Sequence, residues 1–413
     1  MASQHRRRRV LVSWYTTPQY IPPFVLTERQ TTVGPRAEAD QPKLMFAGWT
    51  PPGRYDLKEA LEREKLSTSY DAIVVWSDAS GSNRPLNLAA FDCPKVLCVG
   101  DTQHQRKPLA GVIAYAREVG FDVIVSSHNR HHLHWFAEAG FTRVGWIPAL
   151  KAQHIPRPIR EDRRAQICFV GAQGSHHPRR QRLLSKLREN DVPLVTTAAA
   201  REPAADLYAA SAVSFNASLN GDLNLRVFEV LSAGGCLLTD RLSPQSGMDL
   251  ILREDTDYCA YDSPEEMIDK ARFLMREPQA ALAMARAGHR AYTNQMLPRH
   301  QADVLLDWVF KDRLDDLYAI AAPQTPSPDA PSLATRLTVY ETLQEVHRQL
   351  ERPRVLIAPQ IPAVFRDDAA DLRRLDITVA DPAQTPAATW DVVLAPKSTA
   401  LPPQLRVGIG IAV

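Results

Sequence analysis

The chain has 413 residues, 45% hydrophobic and 23% charged, and a net charge of +2. That length exceeds one ordinary core and points to two or three globular domains. The balanced charge leaves no global footprint for nucleic acid, and no apolar run approaches the roughly 20 residues that span a bilayer.

The opening "MASQHRRRRVLVSWYTTPQY" carries a basic cluster, but the apolar piece after it is too short for a signal peptide. A solvated arm before the first strand is expected. Five cysteines, mostly in apolar runs, read as buried reduced thiols of a cytoplasmic protein. "NAS" at Asn216 fits a glycosylation sequon and, without a secretory signal, is taken as chance.

Strands are expected at 9–15, 70–78, 95–101, 122–128 and 143–149, with helices at 56–66 and 109–120 between them. These are nearly continuous apolar runs, as in parallel strands buried on both faces. Strand and helix in alternation imply an α/β layer fold with right-handed crossovers. The polar, Pro-containing stretch 151–166 reads as a hinge. The pattern then restarts with strands at 167–172, 192–197, 212–218 and 236–240. Helices are expected at 179–190, 203–211, 225–235, 264–278 and 280–296. Two Rossmann-like halves facing a cleft are therefore expected, 1–155 and 156–320, with ligands outside the carboxyl ends of their strands.

Residues 321–332, "AAPQTPSPDAPS", form a Pro/Ser/Ala linker. A helix at 333–351 and four short strands follow, loosely echoing residues 9–101. Residues 333–413 are expected to be a partial third Rossmann-like unit, the start of a further domain in a longer polypeptide; a self-contained α/β cap is the alternative.

Within 206–300, "DLYAASAVSFNASL", "LRVFEVLSAGGCLLTD", "YDSPEEMIDKARFLMREP" and "RHQADVLLDWV" follow one another. This order resembles the C-terminal half of bacterial GT-B glycosyltransferases, of the "glycosyl transferases group 1" and CgeB-like type. The resemblance covers about 130 residues well and the first 150 only in strand order. It implies transfer of a sugar from a nucleoside-diphosphate sugar, such as a UDP-sugar, to a saccharide, lipid or protein acceptor. It also implies no permanently bound cofactor and no essential metal, because a helix dipole and basic side chains stand in for one.

On this resemblance Glu229 binds the ribose hydroxyls, at a helix start whose dipole favours negative charge. The plainer reading is a helix cap or a partner for an Arg. Arg226, three residues earlier, has a planar guanidinium that suits a diphosphate and stabilises the departing nucleotide. An ion pair with Glu229 is its alternative. The turn after "ICFVG", with Gly171, Gly174, Ser175 and His177, offers backbone amides to phosphate ahead of a helix N-terminus. Arg180 is preferred there over Arg179, against a solvated basic helix start.

Many retaining relatives carry a Glu-x7-Glu pair, but Gly221 stands where the first Glu belongs. Asp222 and Asn224 are the nearby substitutes, so stereochemistry stays open. The Gly-Gly loop common after the first strand is replaced by "SWYTTPQYIPP". In the first half, Asp101 and His104 of "GDTQHQRKP" are candidate bases, with Tyr15 on the acceptor side. The plainer reading of His104 is a polar loop residue.

"SSHNRHHLHWF" places His128, His131 and His132 at helical spacing, which raises zinc as a rival idea. Histidines lining the cleft are preferred, and no metal is assigned. Two further readings stay open: a catalytically idle relative that binds a nucleotide sugar or acts as a scaffold, and a different Rossmann enzyme. Against the second, no G-x-G-x-x-G follows any expected strand.

Overall fold

The computed structural model describes residues 4–15, 25–35, 46–105, 107–151, 155–174, 177–199, 201–320, 330–385, 390–399 and 407–411. The first unit contains β1 (Arg9–Ser13), β2 (Arg29–Pro35), β3 (Gly48–Thr50), β4 (Gly53–Asp56), α1 (Leu57–Arg63), β5 (Ala72–Ser77), β6 (Asn83–Leu86), β7 (Lys95–Val99), α2 (Pro108–Val119), β8 (Val123–Ser126), α3 (Leu133–Glu138) and β9 (Val144–Trp146). Seven of its strands form one parallel sheet in the order β3-β2-β1-β5-β7-β8-β9. β4 and β6 form a separate two-stranded ribbon. Every residue of β5 and β8 is buried, which explains why these strands read as unbroken apolar runs. β2 and β3, at the sheet edge, were not anticipated, because Val33 is the lone aliphatic in "RQTTVGP".

The second unit runs through β10 (Arg164–Val170), α4 (Pro178–Glu189), β11 (Leu194–Thr197), α5 (Glu202–Ala210), β12 (Ser211–Phe215), α6 (Leu225–Ser232), β13 (Leu237–Asp240), α7 (Met248–Ile251), β14 (Cys259–Tyr261), α8 (Pro264–Arg276), α9 (Pro278–Gln295) and α10 (Pro298–Lys311). Its five strands are parallel in the order β11-β10-β12-β13-β14. The chain then returns to the first unit. Ala302, Leu305, Leu306 and Trp308 of α10 pack on Val10, Val12, Val74 and Val96 of the first sheet. Residues 318–320 pair with β9, where the Trp146 amide donates to the Tyr318 carbonyl at 2.7 Å. The stretch 298–320, expected with the second unit, therefore packs on the first sheet.

The third module holds α11 (Leu333–Gln349), β15 (Arg354–Ile357), α12 (Val364–Asp368), β16 (Asp376–Val379), β17 (Val392–Pro396) and β18 (Val407–Ile411). Its parallel order, β16-β15-β17-β18, repeats β2-β1-β5-β7 of the first sheet. One lock between strands recurs as well. The Arg9 amide donates to Asp71 Oδ2 at 2.7 Å, and the Arg354 amide to Asp391 Oδ2 at 2.9 Å. The loose echo in the sequence is thus a structural repeat. α11 packs on α2 of the first unit and α4 of the second.

All five cysteines are free, and all but Cys93 are buried. Asn216 is buried and its amide donates to Thr239 Oγ1 at 2.9 Å, which closes it to glycosylation. Among the described residues, no helix is long and apolar enough to cross a membrane.

Candidate functional site

The carboxyl ends of the two large sheets face each other across a cavity of about 370 Å3. Small-molecule sites generally fall between about 300 and 1,000 Å3. The first unit contributes Tyr15 after β1, Asp101 after β7, His128 after β8, and Lys151. The second contributes Gly171 after β10, Arg180 of α4, Tyr208 of α5, Asp222 and Asn224 of the loop before α6, and Arg226 and Glu229 of α6. The structure thus gathers eight of the expected residues: Tyr15, Asp101, Gly171, Arg180, Asp222, Asn224, Arg226 and Glu229. His104, Gly174 and His177 do not line it, and Ser175 lies outside the described residues.

Arg226 sits in the first turn of α6 and is not spent on Glu229. Its Nε donates to the Val170 carbonyl at 2.6 Å and its Nη1 to Asn216 Oδ1 at 2.8 Å. The guanidinium lies 4.5 Å from the centre of the Phe169 ring. Gly171 makes room for it: a Cβ there would stand 2.2 Å from Arg226 Nη2, and φ is +143°. Only glycine meets both conditions without strain. Arg180 is 7% exposed and donates to the carbonyls of Ala172 and Ala217 at 3.0 and 3.2 Å. Burial, then the neighbouring Arg226 charge, lowers its pKa to about 9. Arg179 instead pairs with Asp240 at 2.9 Å and Glu351 at 3.2 Å, which ties α4 to the third module.

Glu229 stands in the second turn of α6, which begins at Leu225. The expected place at the helix start is corrected, and with it the dipole argument, since that effect fades beyond the first turn. Among the described residues no donor reaches its carboxylate. Burial pushes its pKa up against the pull of Arg226. Asp222 is engaged in its own loop, where Oδ1 accepts from the Leu219 amide at 2.7 Å. Burial pushes it up to about 6. Asn224 donates to Asn216 Oδ1 at 3.1 Å, and its own Oδ1 is buried without a partner.

On the opposite wall Asp101 and His104 form an ion pair at 3.1 Å. Burial alone would raise the Asp101 carboxyl, but the His104 hydrogen bond and charge hold it below its usual value. The same bond to Asp101 raises His104. His104 itself lines a separate cavity with Lys107, Glu341 and Arg348. His177 lies at the start of α4, lowered to about 3 by burial and then by Arg180. His128, lowered to about 3 by burial and then by Lys151, lines the main cavity, while His131 and His132 are buried behind it.

Lys151 was missed by the sequence reading. Its Nζ donates to the Tyr15 hydroxyl at 2.7 Å and lies 4.9 Å from the centre of that ring. The available signal was a lysine directly after the apolar run "RVGWIPAL". Arg201 also lines the cavity and was missed; its φ of 56° is a conformation that concentrates at functional sites.

Residues 175–307 match the family model described as "Glycosyl transferase-like". A sucrose-phosphate synthase from Thermosynechococcus elongatus superposes with a TM-score of 0.52 at 10% identity, over 74% of this chain and 99% of that one. HepE from Anabaena, solved with UDP and glucose, gives 0.47 at 10% identity, over 74% of this chain and 100% of that one. No curated protein sequence matches this chain. The architecture is GT-B, as the sequence resemblance implied, and the segment carrying that resemblance lies largely within the family match.

Proposed function

We propose that the chain is a glycosyltransferase that moves a sugar from a nucleoside-diphosphate sugar to an acceptor in the cleft. The observation that carries this reading is one cavity in which an unpartnered Glu229 carboxylate faces a fixed guanidinium, Arg226, above a glycine that no other residue replaces. A carboxylate without a protein donor suits the two hydroxyls of a ribose. Arg226 and Arg180 are anchored through carbonyls rather than carboxylates, so their charge is not neutralised and is available to a diphosphate.

As the glycosidic bond breaks, negative charge builds on the leaving diphosphate. Cations already fixed in place stabilise that charge without reorganising. Asp101, kept ionised by His104, is the acceptor-side base of this reading, and Tyr15 with Lys151 forms the neighbouring wall. Gly171, directly after β10, lines the same cavity, where its backbone can approach the phosphates.

A second reading, donor binding without transfer, is favoured by Gly221 in place of a carboxylate and by the engagement of Asp222 in its own loop. Incubation with UDP-, GDP- and dTDP-sugars separates the two. Transfer predicts slow release of free nucleoside diphosphate from one donor, abolished in Asp101→Asn or Arg226→Ala. Saturable binding with no release would leave the idle reading.

A further inference from the structure

Behind the cleft wall lies a buried polar cluster that the transfer reading does not use. His131 and His132 belong to the short turn before α3 of the first unit. Asp371 belongs to the loop after α12 of the third module. The three are 2%, 0% and 4% exposed. One ring nitrogen from each histidine and a carboxylate oxygen all lie within 4.8 Å of one another. Ligands around a zinc-type ion stand roughly 3.5 Å apart, so an adjustment of about 1 Å in side-chain position suffices.

Two of the needed atoms are available, and the third, His132 Nε2, is held by neutral partners that an ion would displace: the Tyr340 hydroxyl and, at 3.1 Å, Gln344 Nε2. Thr102 Oγ1 holds His132 Nδ1 at 2.7 Å, which fixes the ring and turns Nε2 toward the Tyr340 hydroxyl at 2.8 Å. The same hydroxyl donates to Asp371 Oδ2 at 2.5 Å. Asp371 Oδ1 and His131 Nδ1 are buried with no partner. An outer group that orients each ligand is the usual support of a metal site. Burial keeps both imidazoles in the neutral form that ligates. His347, on the face of α11 that carries Tyr340 and Gln344, adds another buried Nε2 without a partner. Asp371 and His347 also line a cavity of about 540 Å3, which gives an ion a way in.

We propose that His131, His132 and Asp371 bind one divalent transition-metal ion of the zinc type, which staples the third module to the first unit. Two imidazoles and a carboxylate, with no thiolate, suit Zn2+ or Co2+ over Ca2+ or Mg2+. The role is structural and is independent of the transfer reading. The ion would join residues 239 positions apart in sequence, His132 and Asp371, and close the cleft wall from behind.

The test uses the full chain without a histidine tag, stripped with chelator and dialysed against Zn2+. Elemental analysis should find one zinc per chain, and Zn2+ should raise the thermal midpoint. Asp371→Asn and His131→Gln should each lose that zinc and that shift. If the variants fail to fold, the absorption spectrum of Co2+-loaded wild type decides. Bands of a four-coordinate nitrogen/oxygen site support the proposal, and the spectrum of aqueous Co2+ overturns it. Wild type that retains no zinc, or folded variants that retain it fully, also overturn it.

Discussion

Gly171 and Arg226 act as a pair. The glycine has no side chain because the guanidinium occupies that space. Gly171→Ala should therefore displace Arg226 and cost about 1–3 kcal/mol of stability through its φ of +143°. Donor affinity should fall at least about tenfold, the effect of about 1.4 kcal/mol. Urea unfolding and nucleotide titration of the variant check both. Asp101 and His104 carry a pH signature. His104 is raised above 6.5, so its share of the pairing is present below that pH and lost as pH rises through the folded value. Asp101 is lowered below 3.8, so its share is present above that and lost as pH falls. The thermal midpoint of wild type minus that of His104→Ala should be largest between roughly pH 4 and 6.5 and shrink above it. A difference that grows toward pH 9 would contradict the pairing. At this scale the second unit's wall of the cavity was legible, because Arg226, Glu229 and Gly171, which line it, sit in an ordered motif. Lys151 was not, since one lysine after an apolar run carries no spacing to mark it.

At the scale of elements, the buried parallel strands were legible because both faces are covered and polar residues are excluded. β2 was not, because the edge strand β3 pairs only with its last three residues, and Arg29, Gln30 and Thr31 beyond that pairing lie partly or fully exposed. α6 begins at Leu225 as expected, and Glu229, four residues in, therefore lies in the second turn; periodicity fixes a face, not what surrounds it. α10 shows the same limit in another form: its apolar stripe says that it packs, not on which sheet. α11 is the element with the most consequence. Its Glu341 accepts from the amides of Leu109 and Ala110 at the start of α2, both at 2.9 Å. Its Arg336 is buried between Glu138 of the first unit and Asp368 of the third module. Arg336→Leu leaves two carboxylates facing each other without their cation. Breaking such a buried cluster costs about 3 kcal/mol or more. Denaturant titration should show that loss, and a change below about 0.5 kcal/mol, the size of an ordinary surface substitution, would mean that the contact does not hold the module.

For the whole molecule, two large parallel sheets meet at their carboxyl ends, and a third module bridges them from behind. His347 Nδ1 donates to Asn220 Oδ1 of the second unit at 2.9 Å, while Gln344 of the same helix donates to the Thr102 carbonyl of the first at 3.2 Å. The relative placement of the two units therefore depends on α11, which a linear reading assigned to a separate module. The central claim is that the cavity between the units holds a nucleoside diphosphate through Arg226 and Glu229. Hydrogen bonds to a charged group contribute about 1.5–3 kcal/mol each, so either truncation should weaken binding roughly 10- to 100-fold. The measurement is calorimetric titration of wild type, Arg226→Ala and Glu229→Ala with UDP, GDP, ADP, dTDP, NAD and S-adenosylmethionine. One nucleoside diphosphate should bind wild type and lose that affinity in both variants, with the thermal midpoint of Glu229→Ala unchanged or higher. Binding of NAD or S-adenosylmethionine instead, or equal nucleotide affinity in all three proteins, would contradict the account.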